Sequence, residues 1–429
     1  MNLNPSDQPR NIPIQTRFFY GWIILAVSAL AVFMSGPGQT FNFSVFIDPI
    51  LSETGWTRTQ ITGLYAAGSL SASIIIIGIG NLLDRYGARV ILTVIVILFG
   101  AAALWMGYIE SRFEIFLGFT AMRTLGQGAM TMVPTTLVAT WFVQTRGRAT
   151  AIASLGGALS AATFPILSHF LVSQYGWRDA WIVLAFVIWG TMLLPSFLLV
   201  RRSPESVGLN ADGICSGDLT DPSISSYHSD TDFTLSSAMN THSFWLLLFA
   251  GSSFSLISTA LTFHNVALLG EKGLTPTMAA SALSVMAIFA SLGTVVSGYL
   301  NDHFPNRLVL AGAQLILISA MLVTFIISSP GMAFTYAALL GISNGFGMTT
   351  TTVIWPNYFG RKHLGKIRGM ATMSTMAFAA LGPLPFSALH DITESFNFAI
   401  AVFVALPSLC AILALLASKP ILDHTNGSQ

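Results

Sequence analysis

Long apolar runs separated by short polar segments dominate the pattern of this chain. A helix needs about 20 apolar residues to cross the hydrocarbon core of a bilayer, and twelve runs are of that order. A backbone exposed to lipid must satisfy its own hydrogen bonds, so these runs predict α-helices. We number the predicted spans one to twelve in chain order: 18–47, 58–82, 88–108, 113–140, 149–172, 179–200, 243–268, 276–300, 308–328, 332–357, 367–388 and 395–417.

A polar segment divides this series in the middle. Residues 201–241 are rich in Ser, Asp and Thr and predict a flexible linker after span six. The pattern therefore predicts an all-α membrane protein built from two six-helix bundles. Its expected parts are an N-terminal tail (1–17), a first bundle (18–200), the linker (201–241), a second bundle (242–418) and a C-terminal tail (419–429).

Composition supports a lipid environment and narrows the function classes. The 429 residues are 53% hydrophobic and 9% charged, with a mean hydropathy of +0.69; soluble domains carry about 25% charged residues. A net charge of +1 without a basic stripe gives no sign of a nucleic-acid partner. Cys215 and Cys410 form no metal or disulfide pattern. We expect a monomer in the lipid bilayer, with no cofactor and no metal.

The positive charges orient the spans. Of the 19 Lys and Arg residues, fourteen fall in the two tails and the even-numbered connections. Four fall in the odd-numbered connections, namely Arg58, Arg112, Arg178 and Lys272, and the last one, Arg123, lies within a span. Cytoplasmic loops carry the excess of Lys and Arg. This distribution predicts a multi-pass protein of the cell (inner) membrane with both termini in the cytoplasm.

The two halves are related by an internal repeat that matches position 53 to position 271 and keeps this offset without a gap. Ten of the 37 pairs from Glu53 to Arg89 are identical in this register. The matched pairs include Glu53 with Glu271, Gly80 with Gly298, Asp84 with Asp302 and Arg89 with Arg307. Both copies cross the membrane in the same direction, so the repeat is parallel. Duplicated bundles of this kind bind a solute near the midplane and alternate their access.

Two short motifs carry a resemblance to a known family. The segment from Gly80 to Arg89, which reads GNLLDRYGAR, and the segment from Arg123 to Gly128, which reads RTLGQG, resemble signatures of the major facilitator superfamily. Finer features resemble its monocarboxylate transporter and oxalate/formate antiporter branch, especially bacterial members. These are Tyr20-Gly21-Trp22, Trp141-Phe142, Arg146-Gly147-Arg148-Ala149, Gly176-Trp177-Arg178, Pro204-Glu205 and Tyr358-Phe359-Gly360-Arg361.

The resemblance implies a gate at the cytoplasmic ends of the bundles. We expect Asp84 to cap a helix end and to pair with the cationic loop between spans four and five, at Arg146 or Arg148. Such pairs would hold one state closed and break in the other. The predicted gating residues are Asp84, Arg85, Arg89, Arg146, Arg148, Asp302 and Arg307. The alternative is a positive loop that only sets topology.

The sequence departs from that branch where its anion-binding residues are expected. Phe41 stands where lactate-type members often carry a Lys. Ala290 and Thr294 stand in span eight where many carry an Asp and an Arg. Span eleven has no Lys, and its one cation, Arg368, is expected at the cytoplasmic mouth. These departures weaken the dicarboxylate and the lactate–proton symport hypotheses.

Polar residues inside the spans are the candidates for substrate binding. Arg123 is the strongest, because a charge at this depth costs about 3 kcal/mol and needs a partner; a purely structural Arg is the alternative. Gln127 follows at i+4 on the same α-helical face. Gly and Pro at 36–38 predict a broken span one that exposes Gln39 and Asn42. The remaining candidates are His264, Asn265, Asn344 and Phe378, with packing as the alternative for each.

These features predict a secondary transporter that moves a small, monocarboxylate-like organic acid through a central cavity. Its expected partners are the small-molecule substrate and either a co-transported proton or an exchanged anion. The alternative is an exporter of neutral or hydrophobic small molecules. An enzyme is not expected, since no intramembrane cluster of His, Asp and Glu is evident.

Overall fold

The computed structural model of the protein describes residues 18–56, 58–213 and 232–420. Helices are the only regular secondary structure in this part of the chain. Eight of them are long and apolar enough to cross a membrane. One of the eight, Arg146–Leu198, contains spans five and six, and spans four, ten and eleven are additional to the eight. The architecture is therefore the predicted one of twelve spans in two six-helix bundles.

The first bundle begins at Gly21 and contains several interrupted helices. Its elements are Gly21–Met34, Gly36–Gly38 (3₁₀) and Thr40–Thr54 in span one; Arg58–Tyr86 in span two; Ala88–Met106 in span three; Arg112–Met122, Arg123–Ala129 (π) and Met130–Trp141 in span four; and Arg146–Leu198 in spans five and six. Gly176 separates the last two spans, because its φ of 81° lies outside the helical region.

The second bundle follows the same order of elements. These are His242–Phe263 and Asn265–Glu271 in span seven; Pro276–His303 in span eight; Asn306–Val323 and Thr324–Ile326 (3₁₀) in span nine; Pro330–Phe359 in span ten; Leu364–Leu381 and Pro383–Thr393 in span eleven; and Phe396–Phe403 and Ala405–Leu416 in span twelve. We call the end of the molecule at residues 201–213 and 232–241 the linker face, and the other end the opposite face.

The repeat is visible in the contacts at the opposite face. Glu53, at the end of span one, accepts hydrogen bonds from Trp177 Nε1 (2.5 Å) and Arg178 Nε (2.9 Å) at the start of span six. Glu271, the repeat counterpart of Glu53, accepts from the backbone N–H of Phe396 (3.2 Å), which is the counterpart of Arg178. Each half thus ties its first span to its last in the same way.

The described ends of the linker are structured, which corrects the expectation of a flexible segment throughout 201–241. Short 3₁₀ turns occupy Glu205–Val207 and Ala211–Gly213, and a helix occupies Leu235–Met239. Phe233 is 2% exposed and packs edge-on against Phe359. Asp212 and Asp232 hydrogen-bond the loops that precede spans five and eleven. The centre of the predicted linker and residues 1–17 and 421–429 lie outside the described residues.

Candidate functional site: a gate at the linker face and a cavity between the bundles

Two carboxylates at the linker face cap helices of the opposite bundle. Asp84 Oδ1 and Oδ2, at the end of span two, accept hydrogen bonds from the backbone N–H groups of Gly365 (2.7 Å) and Lys366 (2.9 Å), in the first turn of span eleven. Such N–H groups have no partner within their own helix, and the helix dipole favours a negative charge there. The capping was predicted, but its partner was not.

The predicted pairing of Asp84 with Arg146 or Arg148 is wrong, because Asp84 caps span eleven and Arg148 pairs with Asp302. Asp302 accepts from the backbone N–H groups of Gly147 (2.5 Å) and Arg148 (3.1 Å) and from Arg148 Nε (2.9 Å). The acids at 84 and 302 and the capped glycines at 147 and 365 are separated by the same offset, which is that of the repeat. The two contacts are therefore equivalent, and each half caps the other.

Glycine pairs allow the capping helices to approach closely. A Cβ added at Gly365 would lie 2.5 Å from Asp84 Oδ1 and 2.6 Å from the carbonyl oxygen of Gly80. A Cβ at Gly147 would overlap the carbonyl oxygen of Gly298. This packing leaves no room for a side chain at either capped glycine. We call the two capping contacts, of Asp84 with span eleven and of Asp302 with span five, the two latches.

The other predicted gating residues surround the latches. Arg146 donates through Nε to the carbonyl oxygens of Ala139 (3.1 Å) and Phe142 (3.2 Å) and through Nη1 to Asn357 of the other half. Arg89 instead stays within its own half, donating to the carbonyl oxygen of Phe197 (2.7 Å). Arg85 stacks on Tyr86, and Arg307 lines a linker-face hollow beside Asp302.

We expect Asp84→Asn to weaken the first latch. The amide retains a carbonyl oxygen that can accept one of the two hydrogen bonds, but it carries no charge. Loss of a helix N-cap costs about 1 kcal/mol, so the ratio of linker-closed to linker-open molecules should fall about fivefold. Spin labels at the exposed and equivalent positions Tyr86 and Phe304 would report the separation of the halves.

For this measurement Cys215 is replaced by Ala. Asp179→Asn is the control, because Asp179 is an exposed acid at the opposite face. Turnover should fall while substrate affinity changes little. Unchanged label distances together with unchanged turnover would contradict the assignment of Asp84 to a gate.

A cavity with two lobes lies between the bundles. The anion lobe, of about 270 Å³, is lined by Gln127, Thr131, Thr351, Thr372, Thr375 and Arg368 among others. The small-residue lobe, of about 480 Å³, is lined by Gly157, Ala158, Ala161, Ala287, Ala290 and Gly345 among others. Gln39, Thr131 and Met348 line both lobes, so the two adjoin. Each lobe has walls from both halves.

Arg368 is a functional candidate that the sequence did not identify, because it was expected at the cytoplasmic mouth of span eleven. The helix begins at Leu364, three residues before the predicted start, so Arg368 lies one turn inside it. Its side chain lines the anion lobe, and the residue is 7% exposed. Its Nη1 is buried and has no hydrogen-bond partner within the described part of the chain. No Asp, Glu or His is among the described residues that line either lobe.

Arg123 occupies a different place from the one expected of a substrate ligand. It donates from Nε to Ser69 Oγ (3.1 Å) and from Nη1 to Thr40 Oγ1 (3.1 Å), and its guanidinium lies 5.1 Å from the centre of the Tyr65 ring. It therefore joins span four to spans one and two of its own half. Arg123 is not among the described residues that line the two lobes.

Arg123 and Gln127 both belong to the π-helix Arg123–Ala129, but their side chains contact different parts of the protein. Gln127 lines the anion lobe, and its buried Oε1 has no hydrogen-bond partner among the described residues. π-Bulges are frequent at functional sites.

The predicted break in span one is present, but it exposes only one of the two expected residues. Gln39 is extended (φ −89°, ψ 152°) between two helices and lines both lobes. Asn42 is instead fully buried. Its Oδ1 accepts from Ser168 Oγ (2.7 Å) and its Nδ2 donates to the carbonyl oxygen of Pro37 (3.4 Å). It therefore fastens span five to the broken segment.

The remaining candidates divide between the cavity and packing. Asn344 lines the small-residue lobe and accepts from Ser258 Oγ. His264 contacts the carbonyl oxygen of Pro383 (3.1 Å) and Ser387 Oγ (3.2 Å), and the buried Asn265 donates to the carbonyl oxygen of Ala279 (3.1 Å). These two and the half-buried Phe378 are not among the described residues that line the lobes.

Comparison with known proteins gives the family. The sequence profile of the Major Facilitator Superfamily matches residues 22–270 and, a second time, residues 243–428. The chain belongs to the Major Facilitator Superfamily of membrane transporters. A crystal structure of a double-tryptophan mutant of XylE shares its fold, with a TM-score of 0.74 at 13% identity over 94% of this chain and 96% of that one.

Three named relatives are similar in sequence. The probable sulfoacetate transporter SauU of Cupriavidus necator is 27% identical, over 93% of this chain and 94% of its own length. The gallate transporter of Pseudomonas putida is 25% identical, over 93% and 92%. Human monocarboxylate transporter 6 is 31% identical over 31% of this chain and 25% of its own. These similarities agree with the resemblance to the monocarboxylate transporter branch, and the chain is a transporter rather than an enzyme.

Proposed function

We propose that this protein is a secondary transporter of a small organic acid, and that Arg368 binds the acidic group of the substrate. The single observation that carries the proposal concerns Arg368, a charged residue that lines the inter-bundle cavity and whose buried Nη1 has no hydrogen-bond partner in the described residues. A guanidinium forms two parallel hydrogen bonds with a carboxylate or related oxyanion. The substrate would therefore supply the missing partner.

The energetics of burial support this assignment. A charge within a membrane span costs about 3 kcal/mol or more unless it is paired. Arg123 meets this requirement through Ser69, Thr40 and Tyr65, whereas the anion lobe offers Arg368 no acidic side chain among the described residues. Gln127 and Thr372 line the same lobe and can hydrogen-bond the other oxygens of an anion.

The names of the relatives support the same substrate class. Sulfoacetate, gallate and monocarboxylates are all organic anions, and the first two belong to relatives matched over more than nine-tenths of this chain. They differ in the size and polarity of the body that carries the acid and in the number of acidic groups, since sulfoacetate has both a sulfonate and a carboxylate. The relatives therefore support a substrate with an acidic group. The rest of the substrate molecule has to be inferred from the cavity of this protein.

The two latches indicate which state of the transport cycle the structure represents. With both latches formed, the linker face is closed, and the cavity in our proposal is reached from the opposite face. From the positive-inside rule we propose that the linker face and both termini are cytoplasmic. The cavity walls lack a titratable acid or His in the described residues, which favours an exchanged anion over a co-transported proton as the coupling partner.

We expect Arg368→Gln to abolish stabilisation by organic anions. A ligand at one hundred times its Kd stabilises the native state by about 2.7 kcal/mol, which corresponds to a rise in Tm of roughly 3 °C for a chain of this size. The experiment is a thermal-shift screen of the purified protein against organic acids and their neutral amides at two pH values. Arg368→Lys retains the charge and should retain part of the shift.

The same screen distinguishes organic-acid transport from the alternative function. Stabilisation by the amides and not by the acids would favour an exporter of neutral or hydrophobic compounds. Retention of the full anion-induced shift in Arg368→Gln would remove Arg368 from the site.

Arg123→Gln should give the reverse result. It removes charged hydrogen bonds to Ser69 and Thr40, and such bonds are worth about 2 kcal/mol each. The Tm of the ligand-free protein should fall by several degrees, while anions still raise it. An unchanged ligand-free Tm combined with loss of the anion-induced shift would move the substrate site from Arg368 to Arg123.

A further inference from the structure

The two lobes of the cavity differ sharply in chemistry. Within the described residues, the anion lobe contains one charged side chain, that of Arg368, and the small-residue lobe contains none. The walls of the small-residue lobe are mainly Gly, Ala and aliphatic side chains, and its uncharged polar groups come from Ser35, Gln39, Thr131, Ser154, Ser291, Thr294 and Asn344. A second charge placed there would be buried without a counter-charge, which is strongly unfavourable.

The small-residue lobe is large enough for a ring. A cavity of about 150 Å³ lined by apolar side chains holds benzene, and this lobe measures about 480 Å³. It lies next to the anion lobe through the shared residues Gln39, Thr131 and Met348. A molecule can therefore place its acid against Arg368 and its body among the small residues.

We propose that the substrate is a monoanion with one acidic group and an uncharged, ring-sized body, and that the small-residue lobe sets the size of that body. This inference rests on the proposed function, because it specifies the kind of organic acid that Arg368 binds. The uncharged polar groups of the lobe can bind hydroxyl substituents on the body. An acid with a second charge on the far side of its body is excluded.

Four probe ligands test the class of substrate with the purified full-length protein. Isothermal titration calorimetry at pH 7 would compare acetate, benzoate, terephthalate and benzamide. Benzoate should bind at least tenfold more tightly than acetate, because its ring fills the lobe. Terephthalate, with a second carboxylate opposite the first, should bind at least tenfold more weakly than benzoate, and benzamide should show no measurable binding.

Substitutions that fill the lobe test its role. Ala161→Leu and Ala287→Leu change one wall from each half, and both positions are exposed to the cavity, so the larger side chain should be tolerated in the fold. Each should weaken benzoate at least tenfold while the affinity for acetate stays within twofold. Ala401→Leu, at an exposed position in span twelve, is the matched control.

Failure of this inference is distinguishable from failure of the proposed function. If acetate and benzoate bind through Arg368 but respond equally to the Leu variants, or if terephthalate binds as tightly as benzoate, the two-lobe assignment is overturned and the organic-acid function remains. If none of the carboxylates binds and Arg368→Gln changes nothing, both are overturned.

An independent observation concerns the linker. Asp212 accepts hydrogen bonds from the backbone N–H groups of Val143 (2.8 Å) and Gln144 (2.9 Å), and Asp232 accepts from those of Arg361 (3.1 Å) and Lys362 (3.1 Å). Positions 143 and 144 correspond to 361 and 362 under the internal repeat. The linker thus binds equivalent loops of both halves, directly before the helices that the latches cap.

The linker contacts also cross between the halves. Arg361, whose backbone Asp232 holds, donates from Nη1 to the carbonyl oxygen of Thr140 in the first half (3.0 Å) and to Glu205 of the linker (3.4 Å). Asp212 adopts a left-handed backbone (φ 57°), which few residues other than Gly, Asn and Asp tolerate, and its carboxylate contacts hold it there.

We infer that Asp212 and Asp232 form a clasp that stabilises the linker-closed state. When the halves part at the linker face, the bridge from Arg361 to Thr140 and Glu205 has to break. The clasp holds the two loops in the positions at which both latches can form. The linker therefore takes part in the conformational cycle as well as connecting the halves.

The spin labels at positions 86 and 304 test the clasp in the full chain. Asp212→Ala and Asp232→Ala should each raise the linker-open population about threefold or more, and the double variant should exceed a single variant only slightly, because one break releases the clasp. Asp179→Ala, at the opposite face, should leave the distribution unchanged. A lower Tm with an unaltered distribution would overturn the clasp and leave these residues a packing role.

Discussion

The first turn of an α-helix presents backbone N–H groups that have no partner within the helix. In this protein the two bundles satisfy that requirement for each other. Asp84 of the first half caps span eleven, and Asp302 of the second half caps span five. Because the capped groups belong to the backbone, the contacts depend on helix position and on the close approach that Gly147 and Gly365 permit. Separating the halves exposes both carboxylates and both helix starts, so the closed state is cooperative.

The repeat makes the two latches equivalent, but the cavity above them is not symmetric. Arg368 follows the capped Gly365 by three residues, and its counterpart at the same offset from Gly147 is Thr150. Thr150 is fully buried and uncharged. In our proposal, an anion at Arg368 therefore binds to the first turns of the helix that Asp84 caps, whereas Thr150 offers no charge at the equivalent position of the other latch. Substrate binding would then act directly on the latch at span eleven.

The sequence predicts the fold well because its signals are local. Apolar runs place the twelve spans, and Gly36 to Gly38 predict the break in span one. What the sequence misses depends on tertiary packing. The repeat identifies Asp84 and Asp302 but does not determine which helix start faces which acid, and the predicted partners were exchanged between the halves. A three-residue error at the start of span eleven left Arg368 outside the cavity. The sequence also does not show that Ser69 and Thr40 of the same half satisfy Arg123, whereas Gln127 lines the cavity.

A substrate can drive a conformational change only if it binds the two states with different affinity. The cavity provides for this, because its lobes draw Gln39, Gln127 and Ala161 from the first half and Arg368, Ala287 and Ala290 from the second. In our proposal, an anion held by Arg368, with its body against the small residues of both halves, favours the arrangement in which those walls are close. That arrangement opposes the opening at the opposite face. Closure of the opposite face around the substrate would then precede opening of the linker face. Span eleven would couple the two steps, because it carries both Arg368 and the groups that Asp84 caps.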